Sequence, residues 1–125
     1  GEPTAEFLSA YEAVNQANLA ARAQVKVGVE AQEVDRAARN TLKEHGLAEY
    51  FVHRTGHGIG LDIHEPPYIM EGNQTPLQAG MTFSIEPGVY LVGKYGIRIE
   101  DIVAVTDQGA RVLSQTSHDL VVKSS

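Results

Sequence analysis

The chain is expected to fold as an α+β domain, two helices followed by an antiparallel sheet. Three observations carry that expectation. Apolar residues recur at steps of one, three and four through the first part of the chain, the period of a helix face. After Gly46 glycine and proline become frequent enough to forbid long helices. Beyond that point apolar and polar residues alternate with period two, as on strands. Helices first and strands later favour α+β over an alternating α/β sheet.

Each element follows in order. Thr4 suits a helix N-cap, with Pro3 before it and Glu6 in the first turn. Phe7, Leu8, Tyr11, Val14, Ala17, Ala21 and Val25 then form one apolar face, predicting a helix over about 5–27 that stops at Gly28. The alanine-rich stretch 17–23 supports it by propensity. A second helix is predicted over about 32–45 from Val34, Ala38 and Leu42, with Gly46 as its stop. Its start is weakly marked, because Ala31 stands where a Ser or Thr would cap better. Strands are expected from about 49 to 122. Gly56, Gly58 and Gly60 sit in a strand leading into a turn, while Pro66-Pro67 and Gly72-Asn73 mark loops. Segments 81–86 and 96–105 alternate and read as strands, and 113–114 with 120–122 add a short terminal strand. There is no internal repeat.

Composition narrows the function classes. The net charge of −6 argues against a general nucleic-acid binder, which needs a basic face. No apolar run reaches the about 18 residues of a membrane span, so no membrane partner is expected. The absence of Cys excludes disulfides, thiol catalysis and thiolate metal sites, and it fits a reducing, cytoplasmic location. The chain opens Gly1-Glu2-Pro3-Thr4 without Met or a signal-like segment, and a cut or processed chain is expected.

Two constellations could carry chemistry. His53, His57 and His64 lie within twelve residues. On a strand, even spacing puts His53 and His57 on one side. Gly56 and Gly58 leave the backbone beside His57 open to close approach. The three are either a functional cluster or hydrogen-bonded loop histidines. The second constellation is Glu86 and Glu100, each among apolar neighbours. In a hairpin centred on Gly93, residues whose numbers sum to 186 face each other, so these two carboxylates oppose. Opposed like charges destabilise a sheet unless they share a proton or hold a cation. The bland reading puts one of them at a strand end in solvent. Arg98 points to the same side as Glu100 and pairs with Glu100, Glu86 or Asp101, or forms a surface salt bridge worth little. His45 and His118 stand outside both groups. Asp62, Glu65, Glu71 and Asp101 read as solvated loop or edge charges, and Tyr68, Tyr90 and Tyr95 as core or rim packing residues, with lining a pocket as the alternative.

At these residues a resemblance emerges. The segments His53-Arg54-Thr55-Gly56-His57-Gly58-Ile59-Gly60-Leu61-Asp62-Ile63-His64-Glu65, Phe83-Ser84-Ile85-Glu86-Pro87-Gly88-Val89-Tyr90 and Gly96-Ile97-Arg98-Ile99-Glu100-Asp101 closely resemble the pita-bread metallopeptidases. That family comprises methionine aminopeptidases, Xaa-Pro aminopeptidases and Xaa-Pro dipeptidases (prolidases). His53 and Arg98 look like its proline-specific branch. The resemblance implies that His57, Glu86 and Glu100 are metal ligands, with Glu86 also moving protons and Glu100 bridging two ions. It implies that His64 binds the substrate carbonyl, and that His53 and Arg98 shape the pocket for proline. The implied cofactor is a pair of divalent ions, manganese foremost, with cobalt, zinc or iron as alternatives. The implied chemistry is metal-assisted hydrolysis of a proline-containing peptide.

One departure qualifies the resemblance. The family also uses two Asp ligands from strands upstream of the first helix, and only four residues precede Ala5 here. Residues 1–125 are therefore expected to form the C-terminal half of a pita-bread catalytic domain. Such a fragment would lack the N-terminal half, be inactive alone with its metal ligands left empty, and use a homo-oligomer contact or the missing half to cover its exposed face. Two rivals are a non-catalytic pita-bread binding module, whose ligands would be replaced, and a methionine aminopeptidase, which usually lacks the Arg at position 98.

Overall fold

A computed structural model describes residues 4–59 and 65–114 of the chain. The first helix, α1, spans Ala5–Gln24. Thr4 caps it, its hydroxyl accepting from the Phe7 amide at 3.1 Å. The helix ends before the predicted 27, because Val25 turns to extended backbone and is buried. The backbone that follows is taken by a distant segment: Gly28 N donates to Leu77 O, Leu77 N to Val29 O, and Ala31 N to Thr75 O. Those pairings satisfy groups that further helix would have used.

The second helix, α2, spans Ala31–Glu44. Its N-cap Glu30 makes no side-chain capping bond, in keeping with the weak start signal. Its end matches expectation. Gly46 takes φ +72°, Gly46 N donates to Lys43 O and Leu47 N to Leu42 O, the two bonds of a Schellman stop. Val34, Ala38 and Leu42 are fully buried against α1, whose facing residues Ala10, Ala13, Val14, Ala17 and Ala21 are small enough for close approach.

Strand structure departs from expectation at its start. Residues Ala48–Tyr50 form a 3-10 turn, and residues 51–55 are a loop, so His53 stands outside any strand. Strands β1 (Gly56–Gly58), β2 (Glu65–Ile69) and β3 (Thr82–Ile85) follow, then β4 (Gly88–Leu91), β5 (Tyr95–Arg98), β6 (Asp101–Thr106) and β7 (Gly109–Val112). Five strands form one antiparallel sheet in the order β2-β1-β3-β6-β7, and β4 with β5 forms a separate hairpin. The predicted strand 96–105 is thus two strands in two sheets, broken at residues 99–100. Among the described residues the last strand is β7, and residues 113–114 lie outside it, although Leu113 N donates to Ile102 O. Residues 120–122 lie outside the described residues. Phe83, Ile85, Val89, Ile97, Ile99, Val103 and Val105 bury their side chains in a core shared with the two helices. Among the described residues, no helix is long and apolar enough to cross a membrane.

Candidate functional site

The site grows out of one register. In the hairpin Gly88 opposes Arg98 and Leu91 opposes Tyr95. In the main sheet Thr82 opposes Ala104 and Ile85 opposes Asp101. Both ladders obey the sum of 186 expected from a turn at Gly93, which sits at φ +79° as the third residue of a turn closed by Lys94 N donating to Leu91 O. Two residues per strand lie between the ladders: Glu86 and Pro87 on one side, Ile99 and Glu100 on the other. Proline has no N–H and weakens the pairing there. The Glu86 amide turns away to the Thr55 carbonyl at 2.7 Å, while Ile99 N donates to Pro87 O at 3.2 Å. The two glutamates therefore oppose each other where the strands part from one sheet to the next.

Their carboxyls interact directly. Hydrogen bonding to Glu86, burial, and the Glu86 charge push the Glu100 carboxyl up to about 7. Glu100 itself is exposed, just beyond the end of β5. His57 reaches the same pair, its Nε2 3.9 Å from Glu86 Oε2. Its backbone is fixed by a bond from His57 N to the Ser84 hydroxyl at 3.1 Å. Gly56 allows β1 to lie this close to β3, since a Cβ there would collide with the Ser84 carbonyl. Among the described residues, no three His, Asp or Glu side chains converge as a metal ion requires; the trio is joined in two pairs, His57 with Glu86 and Glu86 with Glu100.

Beside the pair lies a cleft of about 330 Å³ lined by His53, Arg54, Glu86 and Arg98. The His53 ring packs edge-on to Phe51 at 5.0 Å and lies 5.6 Å from the Tyr90 ring. Its Nδ1 lies 2.7 Å from the Arg54 carbonyl, which can only accept, so the proton sits on Nδ1. Burial lowers the imidazole below its ordinary value, and the charges of Arg98, Arg39 and Arg54 act in the same direction. The neutral ring then carries a bare Nε2, buried and without a hydrogen-bond partner among the described residues. Arg98 is exposed on β5, and burial raises the Tyr90 phenol while the Arg98 charge acts against that rise. Arg54 stacks over Tyr68 at 5.0 Å.

Sequence reasoning missed the residues that hold this loop. Asp35 is fully buried on α2. Its Oδ1 accepts from the Thr55 amide at 3.0 Å and the Thr55 hydroxyl at 2.7 Å, and its Oδ2 from Arg39 Nε at 2.8 Å. Arg39 also donates to the carbonyls of Phe51 at 2.9 Å and His53 at 2.6 Å, and stacks over the Phe51 ring at 4.2 Å. The pair at spacing i,i+4 was the available signal. Asp101 was read as a solvated charge; it is buried and accepts from the Ser114 hydroxyl at 3.2 Å. Glu71 is a surface charge paired with Arg36, as expected, and His45 is exposed. Tyr95 packs on Phe7. His64, Asp62 and His118 lie outside the described residues, and so does the side chain of Glu65.

Comparison with known proteins adds an independent line. The family model described as "Metallopeptidase family M24" matches residues 1–107. The "Probable dipeptidase PepE" of Mycobacterium tuberculosis is 53% identical over 122 residues, 98% of this chain and 32% of that protein. The "Xaa-Pro dipeptidase" of Lactobacillus delbrueckii subsp. lactis is 45% identical over 122 residues, 98% of this chain and 33% of that protein. The crystal structure of dipeptidase PepE from Mycobacterium ulcerans superposes with a TM-score of 0.92 at 55% identity, covering 97% of this chain and 33% of that one. The chain spans about a third of the length of the relatives it matches.

Proposed function

The chain belongs to metallopeptidase family M24, and from that footing we propose that it forms the later part of the catalytic domain of a dimetal exopeptidase that hydrolyses Xaa-Pro bonds. The pita-bread architecture, here two helices followed by an antiparallel sheet, supports the assignment. The observation that carries the reading is the opposed carboxyl pair of Glu86 and Glu100 with the His57 imidazole beside it. A divalent cation would relieve the repulsion of two opposed carboxylates, and carboxylate with imidazole is a donor chemistry that suits one, with further ligands needed to complete the site. His57, Glu86 and Glu100 would hold it, and manganese is the ion we favour. Bound there, the metal would supply Lewis acidity and a water acidic enough to attack near neutral pH.

The chain's own groups do the rest. The Glu86 carboxylate, between His57 and Glu100, is placed to take up and return a proton. His53 lines the cleft with its ring held against those of Phe51 and Tyr90, and its Nε2 is left as an acceptor. The His53 ring would meet the pyrrolidine of proline, whose tertiary amide has no N–H to satisfy. Arg54 and Arg98 line the same cleft and favour an anionic end such as a proline carboxylate. We assign His64 to the substrate carbonyl.

The test uses the full-length polypeptide that carries this chain. With Mn²⁺ it should hydrolyse an Ala-Pro dipeptide or the first bond of an Ala-Pro peptide, and the ratio of the two rates assigns dipeptidase or aminopeptidase. His57→Ala, Glu86→Gln and Glu100→Gln should each lower kcat by about a hundredfold or more. No cleavage with Mn²⁺, Co²⁺, Zn²⁺ or Fe²⁺, or full activity in those variants, would refute the reading.

A further inference from the structure

We propose that Asn18 is a positioning residue that sets the separation of the Glu86 and Glu100 carboxylates. The inference rests on the metallopeptidase reading above and concerns a residue far from both glutamates in sequence.

Asn18 lies on the apolar face of α1, among Val14, Ala17 and Ala21, and is fully buried. A buried amide on such a face needs a reason, because burying a polar group is costly unless it is bonded. Its Nδ2 lies 3.4 Å from the Ile85 carbonyl and 3.3 Å from the Ile99 carbonyl. Those residues immediately precede Glu86 and Glu100. The amide carries two N–H donors in one rigid plane, one for each strand. It thus ties the two strands together where neither ladder does.

The need for this tie follows from Pro87. Ile99 N donates to Pro87 O. In a hydrogen-bonded antiparallel pair the partner returns a bond, here from the amide of residue 87 to Ile99 O. Proline has no N–H, so Ile99 O is left without that donor. Asn18 supplies it from the helix. The cost is visible, since Asn18 Oδ1 is buried and finds no hydrogen-bond partner among the described residues. Packing alone would be met by an apolar side chain of similar size. The amide fixes the spacing of the two strands just before each carboxylate, and the helix core holds the amide still.

The experiment compares the full-length wild-type protein with Asn18→Ala, Asn18→Ser and, as a stability control in α2, Val34→Ala. Mn²⁺ alone is titrated by calorimetry at a temperature where circular dichroism shows each protein folded, and Ala-Pro hydrolysis is followed in parallel. Asn18→Ala should weaken Mn²⁺ binding by about tenfold or more, as loss of a residue supporting metal ligands does, and lower kcat with KM little changed. Asn18→Ser, whose one hydroxyl can serve only one carbonyl, should fall between, and it decides the matter if the alanine variant does not fold. Val34→Ala should lose thermal stability and keep Mn²⁺ affinity. Wild-type affinity in the Asn18 variants, or an equal loss of affinity in Val34→Ala, overturns the positioning role while leaving the enzymatic reading intact. A wild-type protein that neither binds Mn²⁺ nor cleaves Ala-Pro overturns both.

Discussion

His53 shows how much one side chain's surroundings decide. Phe51 and Tyr90 pack against its ring, and Arg39, Arg54 and Arg98 surround it with positive charge. Its folded pKa therefore lies below the ordinary value of 6.5. As pH falls, the unfolded chain binds this proton first, so the folded state loses relative stability below about pH 6.5. Above that pH the neutral ring contributes in full. The melting temperature should fall on acidification from pH 7.5 to 5.5, and His53→Phe should show a shallower fall. Equal slopes in the two proteins would mean that His53 is not held neutral by its site. The same residue illustrates what sequence could not supply: its place in the chain suggested a role, but a strand was expected where a loop stands, and its neighbours come from separate segments.

Helix α2 and the loop it braces belong together at the next scale. Asp35 and Arg39, one turn apart, gather the Thr55 amide and hydroxyl and two loop carbonyls. Thr55 O in turn accepts from the Glu86 amide. A buried carboxylate with three bonds is favourable only while all partners remain. Asp35→Ala would leave the Thr55 donors unpaired and the Arg39 charge uncompensated, and should cost about 3 kcal/mol in urea unfolding. Asp35→Asn, which keeps an acceptor for Thr55, should cost less. Comparable losses in the two variants would mean that the acceptor at Thr55 contributes little. Such a network was only half legible. The i,i+4 spacing of Asp35 and Arg39 can be read from sequence, but it usually marks an exposed pair. Here the Asp is buried because its targets arrive from residues 51–55.

For the whole molecule, the chain spans about a third of its relatives, and its described residues bring no three metal-binding side chains to one point. The isolated 125-residue chain, given Mn²⁺ and Ala-Pro, is therefore expected to show no turnover, whereas measurable hydrolysis by it would refute the need for further ligands. Much of the architecture was readable. Helix faces, the Thr4 cap, the Gly46 stop and the opposed glutamates around Gly93 all follow from patterns between near neighbours. Period, capping and turn chemistry are local, so the residues themselves carry them. Other features were not readable from neighbours. Helix α1 stops early because residues 28–31 pair with residues 75–77. The strand at 96–105 splits because its two halves join different sheets. Asn18 finds its carbonyls 67 and 81 residues away. By itself the amino-acid order determined the element types, the hairpin register and the residues facing each other across it. Only the tertiary structure decided where those elements end and which distant backbone groups hold the carboxyl pair, because backbone bonds between remote segments exist only once the chain has folded.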